Sequence, residues 1–123
     1  MKNKTNEIPG YIPDLENINI FEKCPFNYAM QPIGGKWKPV ILYCIKEGAN
    51  RFGMLQRAMP AISKQMLTSQ LRELEAAGLI VRKVYAEVPP RVEYSISKNG
   101  ETLFPVLEAI EKWGQIQKGL SLT

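Results

Sequence analysis

Residues 62–94 constrain the fold of this chain more than any other stretch: an amphipathic helix with a polar N-terminal half runs through Gly78 into a basic hairpin tipped by Val88-Pro89-Pro90-Arg91. Ser63 carries the short side-chain oxygen that suits a helix N-cap. Beyond it, Met66, Leu67, Leu71, Leu74 and Leu79 form an inward apolar stripe, while Lys64, Gln65, Thr68, Ser69 and Arg72 point outward. Gly78 closes the helix. Ile80 to Glu87 and Val92 to Ile96 then read as strands, the second alternating Val92, Tyr94 and Ile96 with Glu93 and Ser95. Pro89 and Pro90 remove backbone donors, so the tip suits an exposed hairpin end and not a paired strand.

The segments around this unit read mostly as helices. Residues 1–20 mix Asn, Gly, two prolines and scattered apolar residues without a period, and are expected to form a loosely ordered arm. Cys24-Pro25 opens a short helix that runs toward Ile33 and stops at Gly34-Gly35. Trp37-Lys38-Pro39 starts the next, in which Val40, Ile41, Tyr43, Cys44 and Ile45 give a mostly apolar body ending at Gly48; this is the expected buried helix of the core. Phe52, Leu55 and Met59 share one face of a further helix that halts before Pro60. Two helices joined by a short turn, the second with hydrogen-bonding side chains on its exposed N-terminal half, make a helix-turn-helix arrangement. Ser97 can cap a last helix over about 98–119, with Leu103, Val106, Leu107, Ile110, Trp113 and Leu120 at helical spacings. That apolar face exceeds what a small core needs, so a homodimer is expected. The fold class is therefore mainly α with a small β-hairpin wing, a single domain over residues 21–123.

Charge agrees with this layout. A chain of 123 residues with 45% hydrophobic composition fits one compact domain, and its net charge of +4 is unevenly spread. Residues 34–91 hold ten Lys or Arg against four acids, and each flank carries three bases against four acids. Positive charge gathered around the helix and hairpin is what a polyanion-binding face requires. The chain has no histidine and only Cys24 and Cys44, which removes Ser-His and Cys-His catalysis and any ready zinc site. No enzyme activity, cofactor or metal is expected. The N-terminal residues lack the apolar run of a signal peptide and no apolar stretch reaches membrane-spanning length, so a cytoplasmic protein without membrane contact is expected.

The chain resembles the HxlR-type family of bacterial winged helix-turn-helix transcriptional regulators over about residues 24–114. The resemblance rests on an ordered set: Cys24-Pro25, Ile33-Gly34-Gly35-Lys36-Trp37, Arg51-Phe52, Ile62-Ser63-Lys64-Gln65-Met66-Leu67, the run from Leu71 to Leu79, Pro89-Pro90-Arg91-Val92-Glu93-Tyr94, and Gly100 leading to Trp113-Gly114. Ser97 stands where many members have Thr and keeps the hydroxyl. The resemblance implies a winged-helix domain that dimerises through its N- and C-terminal helices and binds operator DNA.

Groove geometry then assigns roles. The helix from Ser63 to about residue 77 would be the reader, with Ser63 itself among the DNA contacts: Lys64 can pair with guanine O6 and N7, Gln65 with adenine N6 and N7, and Thr68 and Ser69 with base or phosphate. Arg72 is expected at phosphate, with pairing to Glu73 or Glu75 on its own helix as the competing use. The wing, residues 80–96, would hold out Arg91, with Arg82 or Lys83 beside it; one of that adjacent pair should face the protein. Arg51 is a further phosphate contact. A two-fold dimer with reading helices one DNA turn apart implies an inverted-repeat operator. Trp37 and Trp113 read as core or interface packing, and Cys44 as a buried small hydrophobe. Cys24, at a helix start beside Lys23, reads as a reactive thiol, and several members of the family sense electrophiles or oxidants through a cysteine at this position. A small-molecule or oxidant effector is thus open, as is a ligand cleft near Trp37, Tyr43 and Phe104. The alternative reading is a winged-helix module that binds protein without sequence-specific DNA binding; a thiol enzyme centred on Cys24 ranks far below both.

Overall fold

Pro25, whose fixed φ suits a first helical turn, opens α1 (Pro25–Met30) in the computed structural model, which describes residues 24–121. Cys24 is its N-cap, and none of its six residues is buried. The chain divides after Pro32 into two units, so α1 is described apart from the residues that begin at Ile33. The expected arm over residues 1–20 lies outside the described residues.

In the second unit, Gly35 takes a φ of +100°, a left-handed turn that Gly adopts without a Cβ penalty, and leads to α2 (Lys38–Lys46). Pro39 sits in its first turn, where no intrahelical donor is needed. Ile41, Leu42 and Ile45 are buried, so α2 is the core helix that its apolar body predicts. Next comes α3 (Phe52–Ala58), with Leu55 buried inside it and Met59 buried just beyond its end. Ile62 fills the turn, and α4 (Lys64–Ala76) follows.

The α4 start is built as its sequence suggests: Ser63 is the N-cap and its Oγ accepts the Met66 N–H at 3.0 Å. Leu67, Leu71 and Leu74 are essentially fully buried and form one core with Ile41, Leu42, Ile45, Leu55, Leu79, Ile80 and Phe104. Met66 does not join them. It is 42% exposed, because it sits about 100° around the helix from Leu67, while the leucines at spacings of four and three already fill the contact.

The wing consists of β1 (Ile80–Tyr85) and β2 (Arg91–Ile96), antiparallel, with Ile80 opposite Ile96, Arg82 opposite Tyr94, Lys83 opposite Glu93 and Tyr85 opposite Arg91. Its root is fastened to the entry of α3: the Tyr94 N–H donates to the Asn50 carbonyl at 2.8 Å.

A single C-terminal helix from residue 98 is not what forms. Ser97 does cap a helix, its Oγ accepting the Gly100 N–H at 2.9 Å, but α5 (Lys98–Glu101) lasts one turn, and after Thr102-Leu103 the chain restarts as α6 (Phe104–Ser121). Pro105 explains the break, since its nitrogen has no donor for the preceding turn, whereas in the first turn of α6 none is needed.

Gly100 has a packing reason to be glycine. The Ser97 Oγ donates to the Gly78 carbonyl at 2.6 Å and the Ser97 N–H to the Leu79 carbonyl at 3.0 Å, drawing α5 onto the end of α4. A Cβ at Gly100 would collide with the Leu79 carbonyl oxygen and press on the Ile96 side chain. Gly100→Ala is therefore expected to lower stability by about 1–3 kcal/mol in chemical denaturation, despite the better helix propensity of Ala. A neutral or stabilising result would contradict this packing.

Candidate nucleic-acid interface

Burying the Leu67–Leu71–Leu74 stripe leaves the opposite face of α4 in solvent, and the structure brings Lys64, Gln65, Thr68, Ser69 and Arg72 together as the lining of one shallow groove of about 330 Å³. These are the five outward residues of the sequence reading. Among the described residues, the side chains of Lys64, Gln65 and Arg72 make no hydrogen bond or ion pair, so their donors are open to a ligand. Arg72 does not use the competing carboxylates on its own helix. Ser63 is spent on the cap, and Thr68 Oγ1 donates to the Lys64 carbonyl at 2.8 Å, leaving its lone pairs to accept from outside. Ser69 Oγ donates to Glu73 Oε2 at a long 3.4 Å, a weak bond that an outside partner can replace.

Behind this face lies a contact the sequence reading missed. Lys38, in the first turn of the core helix α2, is 8% exposed, and its Nζ reaches Glu73 Oε1 on α4 at 2.6 Å. The pair joins the core helix to the groove-lining helix, and its carboxylate also accepts from Ser69. Its signal in the sequence was a lysine on the same helical face as Ile41 and Ile45, where a side chain must either snorkel or find a counter-charge. The hydrogen bond from Lys38, and then its charge, hold the Glu73 carboxyl below the usual carboxylate range. A depressed folded-state value means that stability from this pair is present above the ordinary carboxylate pKa and is lost as pH falls through the folded one. Glu73→Gln should accordingly lower the denaturation midpoint at pH 7, with the gap to wild type closing as the pH is taken below about 4. A gap that persists at acid pH would rule out the ion pair as its cause.

The basic residues of the wing are placed less simply. Arg82 alternates with buried Ile80 and so lies on the core-facing side of the ribbon, although its own side chain is exposed. Lys83 lies on the other side with Tyr85, Arg91 and Glu93, and its Nζ is 5.0 Å from the Tyr85 ring centroid. Arg51 is the N-cap residue of α3, half-exposed, with Nη2 3.8 Å from Glu93 Oε2. Arg91 is not held out by the Pro-Pro tip. Its side chain is only 29% exposed, lies 3.8 Å from the Tyr85 ring centroid, and is bonded to both Glu87 and Glu93. The register that sets Arg91 opposite Tyr85 makes this contact, and chain order alone does not reveal it.

On α1, the Cys24 side chain makes no capping hydrogen bond and is half-buried. Cys44 packs against the core from α2, and burial raises its thiol pKa. Trp37 also packs against the core, with Lys36 Nζ 4.9 Å from its ring centroid, whereas Trp113 is largely exposed on α6.

Helix, turn, capped polar-faced helix and two-stranded wing are the parts of a winged helix-turn-helix, and residues 32–120 match the model of the HxlR-like helix-turn-helix family. The chain belongs to the HxlR family. It is 47% identical over 116 residues to an uncharacterized HTH-type transcriptional regulator of Methanothermobacter thermautotrophicus, covering 91% of this chain and 87% of that one. Among solved structures, it superimposes on the redox regulator HypR in its reduced form with a TM-score of 0.75 at 43% identity, over 78% of this chain and 95% of that one. It is also similar to the reduced form of the transcriptional regulator YodB from Bacillus subtilis, with a TM-score of 0.65 at 31% identity, over 73% and 89% of the two chains. As an HxlR protein it is a DNA-binding transcriptional regulator of the helix-turn-helix type and not an enzyme. No helix among the described residues is long and apolar enough to cross a membrane.

Proposed function

We propose that this HxlR protein binds an inverted-repeat operator as a homodimer in the cytoplasm, with α4 in the major groove and Lys64, Gln65, Thr68 and Ser69 at base edges. The observation that carries the reading is the groove on α4, where the exposed polar side chains converge and three of them lack any partner of their own among the described residues. Arg72, Arg51, Arg82 and Lys83 supply phosphate contacts around it, and the wing brings Arg91 to the flanking backbone or minor groove. Homodimerisation is supported by α6, which in the single chain exposes Val106, Ile110, Trp113, Ile116 and Leu120 along its length. Beside it, Val40 and Tyr43 of α2 line an open groove with Leu107 and Ile110. Apolar area of that kind on a small regulator is covered most simply by the same area of a second copy.

The proposed signal is an oxidant or electrophile acting on Cys24. HypR is described as a redox regulator and YodB has a diamide-treated form, and both are similar to this chain. Oxidation of Cys24, to a sulfenic acid or to a disulfide with the partner's Cys24, would act at the helix that precedes the DNA-binding unit.

One binding assay tests both parts. With wild type on its selected duplex, affinity should fall steeply with salt, and Lys64→Ala with Gln65→Ala should cost about 2–5 kcal/mol of discrimination against a mismatched duplex. Oxidant should weaken wild type and spare Cys24→Ser. Unchanged specificity in the double variant would remove α4 as the reader, and equal oxidant sensitivity in both proteins would remove Cys24 as the sensor. No duplex binding even at about 50 mM salt would favour a protein-binding module.

A further inference from the structure

The arginine that the wing was expected to offer to DNA is already engaged. Arg91 Nε and Nη2 both donate to Glu87 Oε2, at 3.2 and 3.0 Å, and Nη1 donates to Glu93 Oε2. Its flat face lies over Tyr85. One side of the guanidinium, one further nitrogen and one face are therefore all taken by the protein. Its hydrogen bonds to these carboxylates, the one to Glu87 foremost, raise the Arg91 pKa. The same Glu93 oxygen lies 3.8 Å from Arg51 Nη2, so a single carboxylate stands between Arg51 and Arg91.

A guanidinium held in this way presents little of its charge to a phosphate. Glu87 and Glu93 occupy three of its five N–H donors, among them the Nε–Nη2 edge that a phosphodiester would use, in charge-assisted bonds. The two carboxylates differ in how easily they give way. Glu93 is 24% exposed and sits inside β2, whereas Glu87 is half-exposed and lies past the end of β1, in the connection at the tip.

We propose that Glu87 and Glu93 form a latch that keeps Arg91 folded on Tyr85 in the free protein, with Glu87 as the displaceable half, so that the wing engages DNA only where a phosphate replaces the Glu87 carboxylate. Glu93 stays bonded and keeps Arg91 and Arg51 in register. Exchange of one oxyanion for another gains little net affinity, because the bond made resembles the bond broken. It gains selectivity: a duplex that docks α4 in the wrong place brings no phosphate to Arg91, leaves the latch closed, and meets the Glu87 charge as repulsion. The latch is thus a specificity device for the same interface, and it rests on the proposed reading that this wing contacts DNA.

The experiment is a four-protein cycle of wild type, Glu87→Gln, Arg91→Met and Glu87→Gln/Arg91→Met, titrated by fluorescence anisotropy against a selected duplex and a scrambled duplex of equal length at about 0.1 M salt. Glu87→Gln should tighten the scrambled duplex by about twofold to fivefold, narrow the gap between the two duplexes, and have a much smaller effect once Arg91 is Met. NMR of the Arg91 Nε–H in the free protein provides a second readout, independent of DNA: slow proton exchange in wild type, faster in Glu87→Gln. An equal effect of Glu87→Gln with and without Arg91 would overturn the latch and leave ordinary charge repulsion, as would weaker binding by Glu87→Gln. Failure of wild type to bind either duplex would overturn the DNA reading and the latch with it, whatever the NMR shows.

Discussion

Everything the interface can do depends on one packing contact, the three leucines of α4 against the core helix α2. Leu67, Leu71 and Leu74 are withdrawn from water together with Ile41, Leu42 and Ile45. Burying side chains of this size is worth about 1.5–3 kcal/mol each, far more than any surface ion pair in the molecule, so it decides which way α4 is rotated. Once that rotation is set, Lys64, Gln65, Thr68, Ser69 and Arg72 have no choice but to face outward. The Lys38–Glu73 pair adds direction to the same contact. A buried lysine without its carboxylate would be costly, so the pair favours the single arrangement of α2 and α4 that satisfies it.

The hairpin extends the platform from the same core. Ile80 anchors β1 in the core, and the Tyr94–Asn50 backbone bond fixes the wing root beside α3. With α4 and the wing root tied to the core, the wing tip lies farthest from it, and that is where charges of both signs meet in Arg91, Glu87 and Glu93. The affinity of a helix-turn-helix protein for DNA is dominated by its charge, and its selectivity by what must be given up when the fit is wrong. In the proposed reading the free groups on α4 meet DNA directly, and the occupied group on the wing adds a second check on the fit.

Much of this was legible in the chain order because it is local. The Ser63 cap, the leucine stripe, the stop at Gly78 and the strands on either side of Pro89-Pro90 involve neighbours within a few residues, and the structure builds each of them. The misreadings have equally specific causes. Met66 passed for a core residue because apolar character alone does not tell a stripe from its edge. The apolar spacing runs on across Pro105, whose missing donor splits α5 from α6. Lys38 and Glu73 are 35 positions apart, and Arg91 meets Tyr85 only through the strand register, so neither contact leaves a periodic trace. In both cases the charged side chain was visible but its partner was not.

The most direct measurement of the central claim, that α4 reads base edges from a two-fold dimer, is selection of bound duplexes from a random pool by the full-length protein, followed by sequencing. The expected result is one enriched inverted repeat whose half-sites are centred about 10 base pairs apart, as two α4 helices on one face of the duplex require. Recovery of an unrepeated site would contradict the dimeric geometry, and a pool left random, with binding that depends on salt alone, would contradict base reading by α4.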